Sequence, residues 1–389
     1  MTVRQVDQSM DTVIVGLGIT PFGRHDDTTG VQLGELAARA ALLDAGVTWA
    51  DIEFACGGSM SAGSADTLVA NLGLTGVPFQ HIFNGCATGG SALVSANAML
   101  ASGQAELALV VGFDNHDQGA FDLDPATWGL DQWYGDAGLM VAPQYFAMKA
   151  RRYMHDFGIS PSSLAKVPVK ATANGLLNDN AWRRTPLTEE QVLTSSMVAD
   201  PLTKLMFCSP GAGAVALVLA TSRRAKAMSQ KPIRLRSVAF RTRPFGSFDV
   251  FSPAVPVELS STATADAAVA AFEAAGIGPM EVDIVQVQDT DSGAELIHLA
   301  ETGLCDHGEQ ERLIQRGLLD IGGPLPVNTD GGCIANGEPV GASGLRQIHE
   351  IALQLRGGAG RRQVPTTPTV GFTHVYGAPG VSACAVLTT

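Results

Sequence analysis

The chain has 389 residues, 46% of them hydrophobic and 16% charged, with 25 Lys+Arg against 38 Asp+Glu and a formal net charge of -13. That length and apolar content fit two domains or two fused halves. The acidic balance, with no basic tract, argues against a nucleic-acid partner or an anionic membrane surface.

Six cysteines, at 56, 86, 208, 305, 333 and 384, are never closer than 28 residues, so neither a chelating pair nor a disulfide scaffold is spaced here and no metal site is expected. Met1 to Asp11 is polar and no apolar run approaches a membrane span. With free thiols, this reads as an unprocessed cytoplasmic protein.

Thr12 to Gly18 (Thr-Val-Ile-Val-Gly-Leu-Gly) reads as a buried strand entering a turn. Its Gly16-Leu17-Gly18 is a weak match to a dinucleotide loop, because the third glycine is missing and Thr20-Pro21 follows; phosphate cradling here is the minor reading. Val31 to Asp44 is an alanine-rich helix ending at Gly46, and Asp51 to Cys56 is a strand. Val77 to Phe83 is short and apolar, and it leads into Asn84-Gly85-Cys86-Ala87-Thr88-Gly89-Gly90-Ser91-Ala92-Leu93. Leu93, Ala96, Met99 and Leu100 then recur at helical spacing, with Gly103 as the stop. A thiol at such a strand-to-helix turn meets the positive end of the helix dipole, which favours thiolate. The glycines at 85, 89 and 90 let backbone amides approach a ligand. A buried structural cysteine is the plain alternative.

Glu106 to Phe113 is another buried strand, followed by Asp114-Asn115-His116-Asp117 at the end where α/β sheets place chemistry. His116 either lines a site or caps a turn. From Ala120 to Ser195 the character changes, with Trp128, Trp133, Trp182 and two amphipathic helices around Pro143 to Phe157 and Ser160 to Leu177. This segment reads as an inserted subdomain. Arg151 and Arg152 suit a solvated helix face, whereas Arg183 and Arg184, beside Trp182, are candidates for holding a phosphate or stacking on an adenine. Met206 to Leu219 and Ile233 to Phe240 are strands again, and the Pro-, Phe- and Ser-rich Pro244 to Pro256 marks a boundary. The organisation expected is residues 1–119 with 196–250 as one half, 120–195 inserted, and 251–389 as the second half.

The second half repeats the first. Ala45-Gly46-Val47 before Asp51-Ile52 matches Ala275-Gly276-Ile277 before Glu281-Val282 at an offset of 230. Gly85 to Leu93 aligns with Gly337-Glu338-Pro339-Val340-Gly341-Ala342-Ser343-Gly344-Leu345 at an offset of 252, and Gly213 to Leu219 echoes Val381 to Leu387. Three matches in order predict a duplicated α/β unit with pseudo-twofold symmetry, in which Cys86 and Glu338 head related helices facing one cavity.

With these halves, the Asn84-Gly85-Cys86-Ala87-Thr88-Gly89 turn and the Gly337-x-Pro339-x-Gly341-Ala342-Ser343-Gly344 turn, the chain resembles the thiolases over nearly its full length, and among them the sterol-carrier-protein-type (lipid-transfer) subgroup. The resemblance implies two βαβαβαββ halves forming a five-layer αβαβα sandwich. It also implies a coenzyme A thioester as substrate, no cofactor, a homodimer joined through the strand Phe79 to Phe83, and a possible small OB-fold and zinc-ribbon partner subunit. Residues depart from the family's pattern where its chemistry is concentrated. Glu338 stands where thiolases carry the Gly-His-Pro histidine. Gln288 stands for the residue that polarises the bound carbonyl. Neither Thr290 nor the run His374-Val375-Tyr376-Gly377-Ala378-Pro379-Gly380 supplies the second cysteine.

A carboxylate beside a thiol raises the thiol's pKa by like-charge repulsion, and reference values of about 4.3 and 8.5 put some 5–6 kcal/mol against proton transfer from Cys86 to Glu338. His374 and Tyr376 are therefore rival acid/base groups. The first reading is an acyltransferase that makes or breaks a carbon–carbon bond next to a CoA thioester. In it Cys86 takes the acyl group, Gln288 and the amides of Gly377 to Gly380 hold the oxyanions, and Glu338 or His374 moves protons; His116, Arg183, Arg184 and Ser343 bind substrate. A retro-aldol lyase on a steroid or other bulky side-chain acyl-CoA is the second, and a non-catalytic acyl-CoA- or lipid-binding subunit the third.

Overall fold

The computed structural model describes residues 11–119, 121, 124–128, 130–228, 231–246, 248–249, 252–253, 261–378 and 380–389. The polar N-terminal segment up to residue 10 and, within the boundary expected at Pro244 to Pro256, residues 247, 250–251 and 254–256 lie outside the described residues. The first half contributes β1 (Thr12–Ile19), α1 (Gly30–Ala45), β2 (Phe54–Gly58), β3 (Phe79–His81), α2 (Thr88–Ala101), β4 (Leu107–Asn115) and, after an excursion, β5 (Ala212–Thr221). That excursion holds α3 (Ala142–Phe157) and α4 (Pro161–Leu176). The second half contributes β6 (Ile233–Thr242), α5 (Ala263–Ala275), β7 (Ile284–Val287), α6 (Ser292–Glu301), α7 (Gly332–Asn336), α8 (Ser343–Arg356), β8 (Val370–Gly377) and β9 (Val381–Thr388). Strand β6, expected within residues 196–250 of the first half, instead pairs along its length with β9 and opens the second half.

These nine strands form one sheet, in the order β7-β8-β9-β6-β1-β5-β4-β2-β3. Its pattern repeats: β1, β5, β4 and β2 correspond in position and direction to β6, β9, β8 and β7. The edge strand β3 pairs parallel to β2, and its counterpart in the second half has shrunk to one parallel bridge between Val285 and Val327. The halves meet where Val13 and Ile14 pair with Arg234 and Ile233. The offset of 230 is visible as structure: α1 and α5 both end on a left-handed glycine, Gly46 (φ 69°) and Gly276 (φ 64°), before a single 3-10 turn and the next strand.

Helices α2 and α8 touch each other and strands of both halves, so they form the middle layer. Leu93, Ala96 and Leu100 of α2 share a core there with Leu345, Ile348 and Ala352 of α8. Helices α1 and α5 cover the outer faces. With every face covered, β1, β4 and β5 are near-continuous apolar runs rather than alternating ones. The glycines of β1 answer to this layering. A Cβ on Gly16 would lie 2.2 Å from the Ala41 carbonyl oxygen and one on Gly18 2.1 Å from that of Ala37. Close helix-on-strand packing, not a phosphate, explains the Gly-Leu-Gly.

The helices of the excursion lie over the second half, α3 on α6 and α4 on α6 and α7. Ser160 caps α4 through the Ser163 amide. Among the described residues no helix is long and apolar enough to cross a membrane, and no cluster of His, Cys, Asp and Glu could hold a metal ion.

Candidate active site

Two turns, one before each middle-layer helix, come together between the halves. In the first, the Ala87 amide donates to the Asn84 carbonyl (3.1 Å) and the Thr88 amide to that of Gly85 (3.0 Å). The Thr88 hydroxyl accepts from the Asn84 amide (2.9 Å), and Asn84 Nδ2 donates to Ser91 Oγ (3.0 Å). Gly85 takes φ 55°, which only a residue without Cβ adopts freely. Cys86 follows it, partly exposed, against Ala87, Val375, Val381 and Ala383.

The second turn carries Glu338, whose side chain is fully buried. Its amide donates to the Ser209 carbonyl (2.8 Å). Gln288 Nε2 donates to both carboxylate oxygens at 3.1 Å, and Gln288 is itself reached by Gln347 Nε2 (3.4 Å) from α8. The carboxylate meets the Cys86 thiol. Burial first, then the charge of Glu338 and its hydrogen bond to the thiol, push the Cys86 pKa well above the ordinary value. Cys208 and Cys333 are pushed up as well, by burial and then by the same carboxylate. The site thus sets the buried Glu338 side chain against thiols whose charged form is disfavoured.

Pairing Cys86 with Glu338 and Gln288 is what the repeat and the resemblance anticipated. The rival bases lie elsewhere. On β8 the side chains alternate faces: Val375 packs with Ala87 and Gly377 lies over Asn84 and Ala87, so His374 and Tyr376 point to the opposite, outer face. His374 Nε2 lies 2.9 Å from Ser382 Oγ and 3.2 Å from Thr264 Oγ1. Burial, then His298 and Lys149, drive its pKa well below the usual range, which disfavours the charged imidazolium. Tyr376 lines a small cavity with Tyr145, Lys149, Asp291 and His298. There the buried Asp291 Oδ2 has no hydrogen-bond partner, and burial raises the Asp291 pKa to about 6.

The expected binding residues are mostly committed to the fold. Arg183 donates to the carbonyls of Phe207 and Ile334 (3.0 Å each) and to Ser209 Oγ, so its guanidinium pins the loop beside Glu338 rather than awaiting a phosphate. Arg184 is exposed and pairs with Asp179 (2.6 Å). The buried Ser343 hydroxyl donates to the Pro339 carbonyl (3.2 Å), closing the second turn. The Gly380 amide donates to the Gly377 carbonyl (2.9 Å) and so closes the β8–β9 turn, which leaves no oxyanion role for it in this geometry; Pro379 lies outside the described residues. His116 is buried at the Glu338 turn, with Nε2 3.4 Å from the Val340 amide.

Sequence reasoning missed Asp114 and Cys208. A charged residue ending the seven-residue apolar run Leu107 to Phe113, and a cysteine just before a Ser-Pro-Gly turn, were the available signals.

Known proteins share this fold. Residues 12–216 match the model for the thiolase N-terminal domain, and residues 255–389 that for the thiolase C-terminal domain-like family. An acetyl-CoA acetyltransferase of Methanothermobacter thermautotrophicus is 33% identical, the alignment covering 96% of this chain and 98% of the relative. Sterol carrier protein 2 of Gallus gallus is also 33% identical, over 90% of this chain and 67% of the relative. Among solved structures, the Ltp2-ChsH2(DUF35) aldolase superposes with a TM-score of 0.87 at 25% identity, covering 98% of each chain. The chain belongs to the thiolase family.

Proposed function

We propose that this protein cleaves, or in reverse forms, a carbon–carbon bond next to a CoA thioester by a retro-aldol route, with Glu338 as the base. The observation that carries the reading is the buried Glu338 side chain, held by Gln288 against the Cys86 thiol, whose pKa burial and then that carboxylate raise. An acyl-enzyme needs a thiolate, and a retro-aldol step does not. In that step Glu338 takes the proton of the substrate's β-hydroxyl as the Cα–Cβ bond breaks. The β-carbon leaves as an aldehyde or ketone, and the bonding pair becomes the enolate of the shortened acyl-CoA, which is then protonated at Cα. The amino end of the 14-residue helix α2 favours negative charge beside Cys86. The superposition on an aldolase supports this reading, and the substrate class that fits is a steroid side-chain or other bulky 3-hydroxyacyl-CoA.

A second reading, thiolase-type acyl transfer through Cys86, is favoured by the place of that thiol at the head of a helix and by the likeness to an acetyltransferase. Here Glu338 must first accept the thiol's proton, against the pKa gap derived from reference values.

One variant separates the routes. Cys86→Ala retains aldehyde or ketone release from a 3-hydroxyacyl-CoA within about threefold if the thiol is a bystander, whereas an acyl-enzyme route needs the nucleophile outright. Mass spectrometry of the native protein with a 3-oxoacyl-CoA then finds Cys86 unmodified. Acylated Cys86 together with an inactive Cys86→Ala assigns the transferase instead. Turnover on neither substrate assigns a binding subunit.

For the assembly we infer a cytoplasmic homodimer joined through β3, which is the sheet's edge and partly exposed. A stable monomer in sedimentation at micromolar concentration removes that inference. A small OB-fold and zinc-ribbon subunit is the further partner we propose, since the superposed aldolase pairs Ltp2 with ChsH2(DUF35).

A further inference from the structure

Asp114, at the end of β4, is a fully buried carboxylate whose oxygens are satisfied chiefly by backbone amides. Its Oδ1 accepts from the amides of Met60 (3.0 Å) and Ser61 (2.9 Å), and its Oδ2 accepts from Met60 (3.0 Å) and, across the two halves, from Gly341 (2.8 Å). His116 is buried beside it, with Nε2 3.6 Å from Asp114 Oδ2. The other ring nitrogen, Nδ1, lies 2.9 Å from Ser61 Oγ, and Nε2 also faces the Val340 amide at 3.4 Å. Arg24 donates to the His116 carbonyl. Burial alone would raise the Asp114 pKa, but the His116 contact and the Ser61 and Met60 amides outweigh it and hold the carboxyl below the ordinary range.

Packing did not require a charge here. Glycine already lets the two backbones approach, since a Cβ on Gly112 would lie 2.0 Å from the Gly341 carbonyl oxygen. Taking a carboxylate out of water is costly unless it is fully hydrogen-bonded, and once it is, its short, directional, charge-assisted bonds fix the amides they hold. The two amides held, of Val340 and Gly341, come directly after Glu338 and Pro339.

We propose that Asp114 and His116 are positioning residues: they clamp the turn after Glu338 from the opposite half and so hold its carboxylate against the Cys86 thiol, at the place from which it reaches a substrate hydroxyl. The inference rests on Glu338 being the working group of the site, but its test reads the Cys86 thiol and needs no substrate.

The test is the rate of Cys86 alkylation by iodoacetamide at pH 8, resolved by peptide mass spectrometry, in a double-mutant cycle. Glu338→Gln removes the opposing charge and raises the rate about tenfold for each unit by which the thiol pKa falls. Asp114→Asn also removes a charge that itself contributes to the raised Cys86 pKa, so its single effect is ambiguous and the cycle is needed. A clamp acting through Glu338 gives a rise of about tenfold in the native background and less than about twofold in the Glu338→Gln background, because contacting residues couple. Equal factors in both backgrounds overturn the proposal and leave Asp114 as a distant charge. His116→Phe keeps the ring's edge contact with Phe121 (5.2 Å) and changes no carboxylate. It carries the same test if Asp114→Asn does not fold, with the same sign expected and the same equality of factors overturning it.

Discussion

The Cys86 turn and the Glu338 turn hold equivalent places in the two halves, yet the opposite half grips them differently. Backbone and the apolar side chains of Val375, Val381 and Ala383 lie on the first: a Cβ on Gly377 would fall 2.5 Å from the Asn84 carbonyl oxygen, and one on Gly85 2.7 Å from that of Ala378. The second has the same close glycine contact, Gly112 on Gly341, and in addition the Asp114 carboxylate and the His116 ring. Steric contact has survived the duplication on both sides, while the charged groups have diverged. One turn presents a proton donor, Cys86, and the other an acceptor, Glu338, so a symmetric frame holds an asymmetric pair.

Removing the acceptor breaks the comparison most severely. Glu338→Gln keeps the shape and the Gln288 contact on one oxygen but abolishes the base, and turnover is expected to fall by about 10²–10⁴ with substrate binding nearly intact. A fall in affinity with unchanged turnover would assign Glu338 to binding. The next effect is on pH. Because burial and Glu338 raise the Cys86 pKa, the thiol stays protonated through neutral pH, and its alkylation rate continues to climb above pH 9 instead of levelling near the ordinary value of about 8.5. In Glu338→Gln the same curve shifts to lower pH. A plateau by pH 8 in the native protein would mean that Cys86 is already thiolate and would restore the acyl-enzyme route.

The scaffold was legible in the sequence because its signals are local and repeat. Apolar runs, the glycines that end α1 and α5, and the 252-residue match between the turns located the repeated strands and helices and anticipated the meeting of Cys86 with Glu338, whereas the sheet order came only with the structure. What could not be read depended on strand face and on distant partners. His374 and Tyr376 lie in a recognisable strand, but which alternate face looks at Cys86 follows only once Val375 and Gly377 are seen against Ala87. Arg183 carries the charge expected of a phosphate ligand, yet its protons go to carbonyls 24 and 151 residues away. Asp114 finds Gly341 across 227 residues. No spacing rule encodes such contacts.

The smallest expected effect sharpens the comparison at the helix heads, where Ser91 and Ser343 are aligned by the repeat and both are buried. Their hydroxyls serve different ends. Ser91 Oγ accepts from Asn84 Nδ2 (3.0 Å) and donates to the Thr88 carbonyl (3.0 Å), tying the first residue of the Cys86 turn to α2. Ser343 Oγ donates to the Pro339 carbonyl, which still accepts from the amides of Ala342 (2.9 Å) and Ser343 (3.1 Å) when that hydroxyl is gone. Ser343→Ala therefore orphans nothing and costs less than about 1 kcal/mol, whereas Ser91→Ala removes the bonds to Asn84, Thr88 and Ala87 and leaves the Asn84 side-chain amide without its partner, at about 1–2 kcal/mol. Urea midpoints at constant m-value measure both. Ser91→Ala is also expected to change Cys86 alkylation, and Ser343→Ala to leave it within experimental error, since the Glu338 turn keeps its Asp114 and His116 contacts. Equal losses of stability and an unchanged thiol in both variants would mean that the two turns are braced alike, and that the asymmetry of the site resides in Cys86 and Glu338 alone.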